Sequence, residues 1–285
     1  MSINQRRSHL SLSTLAALSL LSATAAQAAD WSDTYLGYRY GTEFREPTNA
    51  NHISKDIVQF THASGYKLGS NFLNVDTLMS DSKDPANGAN SKGAQEIYIT
   101  YRNQLSMGKA FDLPTKVGPL SDVALTAGFD FNSKNTAFAP NKRALVFGPT
   151  LKFDVPGFLD VGLWYYREQN HKGVGSPPNP NVTFDGALML STSWGIPFQA
   201  GGAPMKFQGF LNYIGSKGLD YNNKSTAPET LMRTSVMLDV GQVVYGRKNS
   251  VWAGIGYEYW NNKFGNQPGV GTRVSAPQLQ LEVHF

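Results

Sequence analysis

The sequence predicts an all-β protein: a transmembrane antiparallel β-barrel of 12 strands behind a cleaved signal peptide. Three observations lead there. The 285-residue chain is only 16% charged yet 12% aromatic, whereas soluble domains average about 25% charged residues. No apolar run reaches the roughly 18–20 residues of a spanning helix. Long segments instead alternate apolar with polar side chains. They outrun the usual strand of about five or six residues and match the about 9–11 residues of a tilted membrane strand.

The elements follow in chain order. Arg6 and Arg7, the apolar stretch Leu10 to Leu21 and the small residues of Ala26-Gln27-Ala28 form a secretory signal, with cleavage after Ala28. The division is therefore 1–28 signal peptide and 29–285 barrel. Cysteine is absent, which rules out a lipid anchor on the leader and disulfide support. The net charge of +4 includes two leader arginines, so it implies no nucleic-acid partner.

Strands are expected at 33–44, 53–64, 67–79, 94–105, 121–133, 143–155, 158–168, 182–194, 205–216, 229–239, 250–261 and 275–285. An even number fits bacterial outer-membrane barrels. The cleanest case sets Val123, Leu125, Ala127, Phe129 and Phe131 against Ala124, Thr126, Gly128, Asp130 and Asn132. Connections alternate in character. Gly65-Tyr66 and Pro156-Gly157 read as tight turns, the latter of type II. Segments 80–93, 169–181, 217–228 and 262–274 are long, polar and rich in Gly, Pro and Asn. Short turns on one side and long loops outside the cell is the outer-membrane pattern. Segments 106–120 and 240–249 fall on the turn side and each has room for a short helix. Pro149 inside a strand predicts a bulge or kink. The terminal Phe285, at the end of an alternating strand, reads as the aromatic end recognised by outer-membrane assembly machinery.

No motif for nucleophilic, metal or nucleotide chemistry is present, so the chain reads as no enzyme, with no cofactor and no metal. His52, His62, His171 and His284 are scattered over separate segments. A Ser-His-acid set would show only in three dimensions.

The polar face of such a barrel lines its interior. Alternation then places Glu43, Asp76, Glu96, Asp130, Asp185 and Glu258 inward near the outer mouth. Arg39, Arg102 and Arg233 fall around mid-height. Tyr98, Trp164, Tyr166 and Trp260 join them. Planar rings can stack on planar solutes, and carboxylates and guanidinium groups can hydrogen-bond hydroxyls and base edges. The plainer role for each is a charge pair or a space-filling ring.

The run Tyr35-Leu36-Gly37-Tyr38-Arg39-Tyr40-Gly41, with Phe44 and Glu46-Pro47, resembles the start of the Tsx/OmpK family of outer-membrane channels. Thr61-His62-Ala63, Asn74-Val75-Asp76 and Met79-Ser80-Asp81-Ser82-Lys83-Asp84-Pro85 extend the likeness, which is most specific over 34–85. The resemblance implies a monomeric 12-stranded barrel in the bacterial outer membrane, a passive channel for nucleosides or similar planar solutes, and in some members a receptor for phage or bacteriocins. Individual nucleoside-binding residues do not map onto this chain. Two alternatives stand beside it: a channel for short saccharides or aromatic acids, and a barrel enzyme.

Overall fold

The computed structural model describes residues 29–84, 93–136, 138–173 and 175–285. The expected signal peptide lies outside the described residues, as does most of the 80–93 loop. Twelve long strands form one antiparallel ring: β1 (Trp31–Phe44), β2 (Ile53–Tyr66), β3 (Gly69–Ser80), β4 (Gln95–Ser106), β5 (Leu120–Lys134), β6 (Arg143–Phe153), β7 (Phe158–His171), β9 (Ala187–Ala200), β10 (Ala203–Ile214), β11 (Glu229–Asp239), β12 (Val251–Asn261) and β13 (Val274–His284). A short strand, β8 (Asn181–Thr183), extends the end of β7. Each long strand pairs with its neighbours, β7 pairs with β9, and β1 pairs with β13 to close the ring.

The alternation seen in the sequence decides which way each side chain points. Leu36, Tyr38 and Tyr40 of β1, Leu145 and Phe147 of β6, and Leu279, Leu281 and Val283 of β13 are exposed on the outside. Their neighbours in sequence turn inward and are buried. A wall apolar outside and polar inside is the reverse of a soluble protein. Closure gives each of the twelve long strands a partner on both sides, as hydrocarbon requires. The chain is an outer-membrane β-barrel.

The two ends differ. Turns at Lys67-Leu68 and Gly201-Gly202 and the Pro156-Gly157 turn, where Gly157 has φ +82°, mark one end. That end also carries two short helices where the sequence left room for them. In α1 (Met107–Phe111) the Ser106 hydroxyl accepts from the Lys109 amide. In α2 (Val240–Tyr245) the Asp239 carboxylate accepts from the Gln242 amide. Both caps satisfy first-turn amides that the helix itself leaves open. The long connections leave from the opposite end.

Three expectations need correction. The strand expected at 182–194 runs over Ala187–Ala200, because 181–183 pairs separately as β8 before the chain enters the wall. The turn expected at Gly65-Tyr66 lies two residues later, since both residues still pair with β3. Pro149 produces no bulge. Its registers with β5 and β7 continue unbroken, and the ladder to β7 omits only Gly148 and Pro149. Pro149 points outward from the wall, so the missing N–H costs a bond without shifting the chain.

Candidate functional site

The interior holds the candidate site. At mid-height Asp76 of β3 accepts from Arg39 Nη2 at 2.6 Å and from Arg233 Nη1 at 3.1 Å. Arg233 also binds Glu258, at 2.9 and 3.1 Å. Asn74 donates to the second oxygen of Asp76 at 3.0 Å, and Arg39 Nη1 reaches Gln278 at 3.3 Å. The reach of this chain of contacts decides its meaning. Four strands separate β3 from β11 one way round the ring, and six the other. The Asp76–Arg233 contact therefore crosses the lumen. Arg39 is fully enclosed, at 1% exposure. Buried charge persists only when paired and hydrogen-bonded, which explains why the two acids and two arginines interlock. Among the described residues Arg39 Nε, Gln278 Nε2 and Gln59 Oε1 are buried without a hydrogen-bond partner.

A second cluster sits toward the loop end. Glu46, in the β1–β2 connection, meets Lys55 at 2.8 Å, Lys263 at 3.2 Å and Lys134 at 4.0 Å. Lys134 also meets Asp84 at 2.9 Å. Burial on its own would raise the Glu46 pKa, but Lys263, Lys55 and Lys134 outweigh it and hold the carboxyl well below the usual range. Burial pulls the Lys263 ammonium down, and Glu46 offsets only part of that because Lys55 adds repulsion. On the other side Lys217 bonds Glu168 at 2.6 Å, Tyr166 donates to the same carboxylate at 2.7 Å, and Trp260 Nε1 donates to Glu229 at 2.7 Å.

The wall from β4 to β7 is built differently. Arg102 pairs with Asp130 at 2.8 Å and lies over the Trp164 ring. Trp164 Nε1 donates to Thr150 at 3.0 Å, and Thr150 shares a hydrogen bond with Thr126 at 2.6 Å. Trp164 and Tyr166 belong to an apolar cluster with Val146, Met189 and Ile214. At 6% exposure Trp164 offers no open ring face. Tyr98 faces inward with Lys142 over its ring. Glu96 accepts from Asn132 at 2.6 Å.

Eleven of the 13 residues expected inward line the interior; two do not. A register shift between Gly41 and Phe44 turns Phe44 inward in place of Glu43. Glu43 instead pairs with His52 at the exposed rim. Asp185 lies between β8 and β9, outside the wall, beside an outer cavity of about 300 Å³ lined by Asn179, Asn181, Asp220 and Asn223. The expected two levels, acids above arginines, also merge: Asp76 and Glu258 share one layer with Arg39 and Arg233. The histidines sit apart in space as in sequence, on Thr34, Asn181, Asp33 and the Glu43 rim pair.

Sequence reasoning passed over Lys55, Lys134, Glu168, Lys206 and Glu282. The same alternation marks each as inward. At the turn end Lys206 meets Glu282 at 2.6 Å, and Gln208 and Gln280 donate to the same carboxylate.

No family model matches the chain, and no curated protein does. The likeness to the Tsx/OmpK channels, most specific over 34–85, is therefore not confirmed by these comparisons. Solved barrels align over most of their length. The translocator domain of the autotransporter NalP from Neisseria meningitidis is 12% identical, covering 96% of this chain and 95% of that one, with a TM-score of 0.47. The NanC porin is 11% identical, with 88% and 98% covered and a TM-score of 0.47. The KdgM porin in complex with disordered oligogalacturonate is 10% identical, with 88% and 99% covered and a TM-score of 0.44. At these values the architecture stands on the strand pairing itself.

Proposed function

We propose that the barrel is a narrow passive channel for small, uncharged polar solutes, with nucleosides as the solute class that the Tsx/OmpK likeness implies. The observation carrying this reading is the Asp76–Arg233 contact across the lumen, which limits the aperture at mid-height. Interior acids and bases pair with one another: Arg39 and Arg233 with Asp76 and Glu258, Arg102 with Asp130, Lys152 with Asp160, Lys206 with Glu282, and Lys217 with Glu168. A lumen balanced in this way draws in neither anions nor cations strongly. Arg233, the least enclosed member of the layer at 23% side-chain exposure, can meet solute hydroxyls in passing. Such contacts must stay weak, since conduction needs release as well as entry. No cofactor or energy source enters the reading. The monomeric state and any phage or bacteriocin contact at the loops belong to the Tsx/OmpK likeness.

Liposome swelling compares nucleosides with neutral sugars of similar size. Faster entry of nucleosides, with small single-channel currents, is the expected result. Equal rates for both would remove nucleoside preference, and a large unselective current would remove the constriction.

A further inference from the structure

We infer that the outer face of β6 and β7 holds a binding site for the phosphate of a phosphorylated glycolipid in the outer leaflet. Arg143 and Arg167 occupy outward, exposed positions on neighbouring strands, beside the outward Gln169 and above an apolar strip. Arg143 pairs in register with Gln169 and Leu145 with Arg167, so the two arginines are diagonal neighbours, about 7–8 Å apart. Among the described residues neither has a carboxylate partner, while Arg39, Arg102, Arg233, Lys152, Lys206 and Lys217 inside the barrel each have one.

Two guanidinium groups held together on a membrane-facing surface repel each other and lose hydration. A shared anion removes both costs, and guanidinium forks match phosphate oxygens in bidentate fashion. Arg143 is also held in place: its guanidinium lies 3.6 Å from the centre of the Phe131 ring, and Nη1 donates to the Lys142 carbonyl at 3.1 Å.

Depth identifies the occupant. Both arginines lie toward the loop end of their strands. On the same face toward the turn end come Leu145 and Leu188, 66% and 65% exposed, with Phe147 and Tyr165. A phosphate on the arginines would lay acyl chains along that apolar strip. Long loops face outside the cell, so the lipid is one of the outer leaflet and its phosphate is carried on a sugar. The site is on the outer wall and is independent of what passes through the lumen.

Native mass spectrometry of the folded protein with diphosphorylated lipid A, its dephosphorylated form and phosphatidylglycerol tests this. Wild type is expected to retain the diphosphorylated glycolipid over the other two. Arg143→Gln and Arg167→Gln should each weaken retention about tenfold, as loss of a charge-assisted hydrogen bond does. Arg143→Lys, which keeps the charge but not the fork, should fall between. Heat-modifiable mobility reports the folding of each variant. Undiminished retention in folded single variants overturns the site. Retention of phosphatidylglycerol equal to that of the glycolipid overturns the choice of lipid. Liposome swelling is unchanged in either variant, so failure here is distinct from failure of the channel reading.

Discussion

The two walls of the lumen hold polar groups in opposite ways. Around β1, β3, β11 and β12 one contact, Asp76 to Arg233, runs between strands far apart in the ring, and Asp76 also receives Arg39 from β1, one strand beyond its neighbour. From β5 to β7 they run between adjacent strands: Thr126 to Thr150, Thr150 to Trp164, Lys152 to Asp160. A bond across the lumen sets the width of the opening. A bond between neighbours stiffens the sheet and leaves the opening alone. Substitutions in the first wall should change what passes as well as stability, and those in the second only whether the barrel stands.

Asp76→Ala gives the largest effect, because it leaves Arg39 buried without its acid. Breaking a buried pair from one side costs about 3–5 kcal/mol, read as a lower urea midpoint of the heat-modifiable band. An unchanged midpoint would separate the layer from stability. Trp164→Ala empties a packed site beside Val146 and Met189 and should cost about 3 kcal/mol. The folded fraction should keep its nucleoside-over-sugar ratio, and a lost ratio would move Trp164 into the solute path.

Arg233→Ala comes next. Asp76 retains Arg39, but Glu258 is left buried without its base, so the midpoint falls as well, while single-channel current rises and discrimination falls. A current equal to wild type would show that the bridge does not limit flow.

A smaller effect concerns pH at the loop-end cluster. The folded pKa of Glu46 lies below its ordinary value of 4.5, so its contribution is complete above that value and is lost as pH falls below it through the folded pKa. Loop proteolysis should rise in acid, and Glu46→Gln should flatten that rise by weakening the cluster at every pH. Asp185→Asn is the smallest, with no change in current or solute ratio, since Asp185 lies beside the outer cavity and not in the wall.

Period-two alternation is a local signal, and it made the strands legible: the β11 limits match the expected 229–239 in full. It also told inward from outward for Arg39, Asp76, Trp164 and Glu258. What it lacked was the stagger between strands. Asp76 and Arg233 meet because of how far each strand slides past the next around the ring, a quantity set by pairing and not by any one segment. Alternation also fails where the chain adds a residue. The shift near Gly41 exchanges Glu43 for Phe44, and the β8 detour removes Asp185 from the wall.

The seam between β1 and β13 has a consequence for the order of assembly. Hairpins such as β2–β3 join residues close in sequence and can form early, but the seam joins the two ends of the barrel. It must wait for the whole chain, at a closure cost that grows only with the logarithm of loop length. Its fastening is ready-made: His284 bonds Asp33 at 2.7 Å, its ring lies 4.7 Å from that of Tyr35, and the Phe285 amide donates to Thr34 at 3.0 Å. Until those contacts form, β1 and β13 are open edges that can template pairing with another chain. A chain cut short of its last strand would therefore be left as an unsealed sheet, exposed to aggregation.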